Sequence, residues 1–153
     1  MTKVDQRSVV PPVDAAARER LAAALDRTGV VAASLTGSQA SESAGPLSDI
    51  DVGVWLEPAL SSDERAAIAG GLGAAAMHAL GTSEVDLVVL NDAPPLLRHR
   101  ALRDGRRILD RVPRDRVRLE TEAILDYLDT AALRRTLAAG MRQRIQEGRF
   151  GRR

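Results

Sequence analysis

Two short apolar runs, VVAASLT (30–36) and IDVGVWL (50–56), stand on either side of GSQASESAGPLSD, a segment of almost wholly small and polar residues. Both runs are rich in β-branched and small apolar side chains and read as strands, the first buried throughout, the second ended by Pro58. A chain carrying them must build a sheet and cover it. The covering elements follow from helical periodicity. DAAARERLAAALDR (14–27) offers Asp14 as N-cap, an inward stripe of Ala17, Leu21, Ala24 and Leu25, and Gly29 as a stop. Residues 61–80 begin with Ser61 and Glu64 at capping-box spacing and end at Gly81.

VDLVVLN (85–91) reads as a third strand. Pro94-Pro95 opens a short helix running to Arg103, RRILD (106–110) reads as an edge strand, and 114–129 and 130–147 read as two final helices. The order α-β-β-α-β-α-β-α-α predicts an α/β (α+β) domain with a small sheet. Its 153 residues suffice for one core. We divide it into a core at 1–110 and a C-terminal helical extension at 111–153, within one compact domain. Trp55, Tyr127 and Phe150 are its aromatic residues, so Leu, Val, Ile and Ala must fill that core. Without cysteine, neither a disulfide framework nor a thiolate site can form. No stretch reaches the ~18–20 apolar residues of a membrane span. The N-terminal segment has no basic start followed by an apolar block, and a cytoplasmic protein is expected.

The chemistry lies where the first strand ends and the second begins. Gly37 lets a backbone approach a ligand closely, and a helical turn starting at Ser38 would offer N–H groups and a hydroxyl to an anion. Asp49 and Asp51, one residue apart on a strand, share a face, while Ile50, Val52 and Val54 feed the core from the other. Carboxylates roughly 6–7 Å apart repel by ~2–3 kcal/mol at an effective dielectric near 20. A divalent cation turns that repulsion into a gain, and an all-oxygen site suits Mg²⁺. Asp86 opens the third strand with the parity opposite to Val85, Leu87 and Val89. Were that strand to lie beside the second, three acids could converge. An aspartate at a strand end commonly caps a turn, and Ser48-Asp49 alone reads that way; the whole set describes a phosphoryl or nucleotidyl transfer site.

Gly37-Ser38, ten residues, then Asp49-Ile50-Asp51 resembles the signature of minimal nucleotidyltransferase domains of the DNA polymerase β superfamily. EVDLVVLNDAPPLLRHRALRDGRRILDR (84–111) resembles the segment that follows it in the family, and 124–151 resembles the C-terminal helices of antitoxins in HEPN–MNT toxin–antitoxin pairs. The resemblance implies a nucleotidyltransferase fold, a small mixed sheet flanked by helices. It also implies Asp49, Asp51 and Asp86 as ligands of Mg²⁺ (two ions), Gly37 and Ser38 at the nucleotide, and ATP as substrate. The expected reaction moves AMP to a tyrosine of a cognate HEPN-type RNase toxin, silencing it within a hetero-oligomer. Neither a membrane nor nucleic acid is expected as a partner. The chain departs from the family after Gly-Ser. Gln39-Ala40-Ser41-Glu42 stands where many members have an aromatic residue and then Ala-Arg-Gly, so a positive charge is lost and a negative one gained. Two alternatives accompany this reading: a small-molecule, aminoglycoside-like adenylyltransferase, and an antitoxin that acts by binding alone.

Other features are open to two readings. GLGAAA (71–76) matches a dinucleotide pattern but sits inside a helix, so Gly70, Gly71 and Gly73 are expected to let that helix pack closely on the sheet. Trp55 has the parity of Asp51 and either meets a nucleotide base or packs in the wall. His78 and His99 are expected at the surface, and Tyr127 at an interface or core edge. Charge is segregated. Residues 1–97 carry 6 basic and 13 acidic side chains, residues 98–153 carry 16 and 8, so an acidic partner suits the C-terminal third. Leu133, Leu137, Met141 and Ile145 form a stripe that fits either a docking partner or the chain's own core.

Overall fold

The structure, a computed structural model, describes residues 10, 12–40 and 49–148. Ser41, Glu42 and Phe150, singled out above, lie outside them. The elements run α1 (Ala15–Leu25), β1 (Val30–Thr36), α2 (Gly37–Ala40), β2 (Ile50–Leu56), α3 (Ser62–Leu80), β3 (Val85–Val89), a 3-10 turn (Leu90–Asp92), α4 (Pro95–Asp104), β4 (Arg106–Asp110), α5 (Pro113–Asp129) and α6 (Ala131–Gln146). One mixed sheet has the order β3-β2-β1-β4. β1 pairs antiparallel with both β2 and β4, and β2 pairs parallel with β3. The parallel pair needs a crossover, which α3 supplies.

Local chemistry sets the boundaries. Asp14 Oδ1 accepts the Ala17 N–H at 2.8 Å and starts α1, which buries Ala17, Leu21 and Leu25 at successive i, i+4 positions. The helix ends at Leu25, two residues short of the expected end, because Asp26 leaves helical geometry while its N–H still reaches Ala22 O. Ser61 and Glu64 form the capping box in full, with Ser61 N–H donating to Glu64 Oε2 at 2.8 Å, and Gly81 takes the left-handed C-cap at φ 67°. β3 stops at Val89 rather than Asn91. The Asn91 side chain nonetheless continues the pairing, accepting from Leu56 N at 2.9 Å and donating to Leu56 O at 3.0 Å.

The sheet is buried on both faces. Leu21 and Leu25 of α1 and Leu72 and Ala76 of α3 cover Val30, Ala33, Leu35, Ile50, Val52, Val54 and Leu56. Ala101 of α4 and Leu119 and Ala123 of α5 cover Val31, Ala32, Trp55 and Leu90 on the other face. A register shift in β1 between Val30 and Ala32 breaks the two-residue alternation, so Val31 and Ala32 both serve the second face. α5 is also tied to β4 by ion pairs: Arg107 to Glu120 at 2.8 Å and Arg116 to Asp110 at 2.9 Å.

The α3 glycines do not pack as expected. A Cβ built on Gly70, Gly71 or Gly73 meets nothing within 4 Å, so none of them is required for close approach to the sheet. Leu72 and Ala76 make the buried face of this helix instead. α6 buries no residue at all, and its stripe of Leu133, Leu137, Met141 and Ile145 is 54–60 % exposed. Among the described residues no helix is long and apolar enough to cross a membrane.

Candidate active site

β2 and β3 run parallel with Asp51 directly opposite Asp86, and Thr36 at the end of β1 lies opposite Asp51 on its other side. Register alone therefore aligns the two carboxylates on neighbouring strands, on the face that also carries Gly53 and Trp55. The chain leaves β1 at Gly37, with φ 63°, and enters the four-residue turn α2. A Cβ on Gly37 would overlap Asp51 Oδ2. Glycine is required here twice over, by its left-handed backbone and by the carboxylate against it. Ser38 follows, half-buried.

Thr36, Gly37, Asp51, Gly53 and Asp86 form one wall of a cleft of about 680 Å³. The opposite wall is α4, through Leu97, Arg100, Ala101 and Asp104. Beyond Asp51, the missing side chain of Gly53 makes room for Leu90, whose side chain lies 3.0 Å from where a Cβ would stand. Asp49 is exposed and borders a smaller hollow of about 120 Å³ with Glu84, Val85 and Asp86, so Asp86 faces both spaces. Asp49 precedes the first paired residue of β2, and strand pairing fixes its position less than that of Asp51.

Electrostatics join the three acids. The Asp51 carboxyl is pushed above the ordinary carboxylate range, first by burial, then by the charge of Asp86, then by that of Asp49. Among the described residues no group of three or more His, Cys, Asp or Glu side chains is gathered to hold a metal unaided. Mg²⁺ asks for less. It keeps several waters and takes one or two carboxylates together with substrate phosphates. Two hard oxygen donors on neighbouring strands, one of them with its proton affinity raised by burial and by the other's charge, fit such an ion.

The remaining candidates sort plainly. Trp55 is 3 % exposed and packs with Leu90, Ala101 and Leu119, which makes it a wall residue. Gln39 is buried, and its Oε1 accepts from Val13 N at 3.3 Å, so it anchors α2 to the segment before α1. His78 is exposed as expected, but His99 is half-buried. Its ring stacks on Tyr127 at 3.7 Å and 7°, and the Arg134 guanidinium covers Tyr127 at 3.6 Å. This sandwich ties α4, α5 and α6 together. The α4 wall was missed from the sequence, although Leu97, Arg100, Ala101 and Asp104 follow the i, i+3, i+4, i+7 spacing of one helix face.

Strand register, the Gly37 bend and the facing acids describe a nucleotidyl-transfer scaffold. Residues 19–114 match the model of the polymerase beta nucleotidyltransferase family, and the chain belongs to that family. No curated protein matches the chain. Solved structures share the fold. A chain from a toxin–antitoxin complex with AMP-PNP is 22 % identical with a TM-score of 0.64, covering 81 % of this chain and 97 % of that one. A chain from the MntA–HepT toxin–antitoxin complex is 21 % identical with a TM-score of 0.59, over 82 % and 96 %. A third comes from a tri-AMPylated Shewanella oneidensis HEPN toxin in complex with MNT antitoxin: 22 % identical, TM-score 0.58, over 81 % and 95 %.

Proposed function

We propose that this chain is the antitoxin of a toxin–antitoxin pair and moves AMP from ATP to a tyrosine hydroxyl of a cognate HEPN-type RNase toxin. The observation that carries the reading is the pairing of Asp51 with Asp86 beside Gly37, at the wall of a cleft large enough for a nucleotide. Asp49, Asp51 and Asp86 would hold Mg²⁺, two ions in the full complement. When bound, the metal offsets carboxylate repulsion and phosphate charge and favours loss of the acceptor's proton. The chain's own part is positional. Gly37 brings bare backbone against the carboxylate, with Ser38 next to it, and the sheet holds Asp51 and Asp86 in register before substrate arrives.

A protein acceptor agrees with the C-terminal helices. The α6 stripe finds no cover among the described residues, and Arg134, Arg135, Arg142 and Arg144 lie in α6 without a single acid. Such a face suits an acid-bearing helical surface. It also favours the second reading, neutralisation by docking alone. Co-expression of the toxin with wild type or with the Asp49→Ala, Asp51→Ala double variant separates the two. Transfer requires that the double variant still bind the toxin and fail to protect cells; protection undiminished by the double variant makes docking the mechanism and refutes transfer.

A further inference from the structure

The cleft is unbalanced in charge. Asp51, Asp86 and Asp104 line it, and Arg100 is the one cationic side chain lining it among the described residues. A nucleoside triphosphate brings several more negative charges into this space, so cations must meet them. The entrance turn does not supply any: Gly37, Ser38, Gln39 and Ala40 carry no charge, and the connection SESAGPLS (41–48) has one glutamate and no basic residue.

Arg100 is available for that task and its neighbours are not. Arg98 is committed to Asp126 at 2.8 Å, and Arg103 grips both oxygens of Asp104, at 2.7 and 2.6 Å. Asp104 lies one turn beyond Arg100 and would be its natural i, i+4 partner. With both Asp104 oxygens taken by Arg103, Arg100 is exposed and has no ion pair among the described residues. The helix thus holds on the cleft face, opposite the acids, a guanidinium that acts on Asp104 through charge alone, while the direct ion pair to that acid comes from an arginine outside the lining.

We propose that Arg100 is a substrate-binding residue whose guanidinium takes phosphate oxygens of the nucleoside triphosphate, from the wall facing Asp51 and Asp86. The inference rests on the nucleotidyltransfer reading and assigns that site its phosphate clamp. A planar fork with several N–H donors suits phosphate better than a point charge does.

Calorimetric titration with AMP-PNP in the presence of Mg²⁺, and separately with adenosine, tests it on wild type, Arg100→Gln, Arg100→Lys and Arg118→Gln. Arg118 pairs with Glu122 on α5, away from the cleft, and its variant serves as the charge control. Arg100→Gln is expected to weaken AMP-PNP binding about tenfold or more and to leave adenosine within about twofold. Arg100→Lys should fall between wild type and Arg100→Gln, and it carries the test should the glutamine variant fail to fold. Equal AMP-PNP affinity in wild type and both Arg100 variants overturns the proposal, as does an equal loss for adenosine and AMP-PNP. In either case the nucleotidyltransfer reading survives. Wild type that binds no AMP-PNP overturns both together.

Discussion

The cleft and the last helix differ in what fixes them. On the sheet wall of the cleft the polar groups are set by backbone pairing: Thr36, Asp51 and Asp86 stand side by side across three strands, and Gly37 bends against the middle one. Along α6, nothing among the described residues buries the apolar stripe, and Tyr127, between His99 and Arg134, is the joint that stacks α6 on α4 and α5. Chemistry on a phosphate requires placement to a fraction of an ångström, whereas docking requires area and matched charge. On the proposed function, one chain assigns the first task to its sheet and the second to its last helix.

Substitutions should separate the two regions. The largest effect is expected from Asp86→Ala, which removes the partner of Asp51. Transfer should fall by at least about 10²–10³-fold, measured as AMP incorporated into the toxin, with toxin binding unchanged. Gly37→Ala should cost nearly as much in activity. It should also destabilise the fold by about 1–2 kcal/mol in chemical denaturation, because left-handed backbone and the Asp51 carboxylate both oppose a Cβ. Leu137→Glu with Met141→Glu should do the reverse, leaving Tm and AMP-PNP binding intact while weakening toxin binding by about 2 kcal/mol or more. A drop in nucleotide affinity in that variant would break the division between the regions.

Smaller effects concern the strain built into the cleft. Asp51 has a raised pKa in the folded chain, so the folded state binds its proton more tightly than the unfolded chain does. Its contribution to stability is complete below the unfolded value near 3.8 and is lost as pH rises through the folded value. Asp51→Asn, which loses transfer no further than Asp86→Ala does, should therefore raise Tm at neutral pH in metal-free buffer, by roughly 2–4 °C if the relief is worth about 1 kcal/mol. The gain should shrink as the pH is lowered into the acid range. The smallest expected change is Gly71→Ala, at an exposed position with open space around the missing Cβ. It should stabilise by up to about 1 kcal/mol without touching either function.

Much of this was legible in the sequence. β1, β2 and β4 carry their bounds in apolar runs and flanking turn residues, and α3 carries a capping box at one end and a glycine at the other. The acids were legible because Asp49 and Asp51 sit two apart on a strand with an apolar reverse face. The pairing of Asp51 with Asp86 was not, because it depends on which strands become neighbours and on the crossover α3 between them, which strand periodicity does not encode. The α4 wall has a helix spacing that any periodicity count would find, but only the packed fold reveals what that face looks upon. The α3 glycines misled in the opposite direction. Small residues on a helix suggest close packing, yet here they point at nothing, and Leu72 and Ala76 between and beyond them do the burying. His99 reads as a surface residue because a lone histidine gives no sign of its stacking partner, 28 residues along the chain.

Transfer of AMP to the toxin is read from the intact mass of purified toxin after incubation with ATP, Mg²⁺ and either wild type or Asp51→Asn. It predicts toxin species heavier by whole AMP units with wild type and unmodified toxin with the variant. Toxin modified equally by both, or left unmodified by wild type while losing its RNase activity, would contradict it.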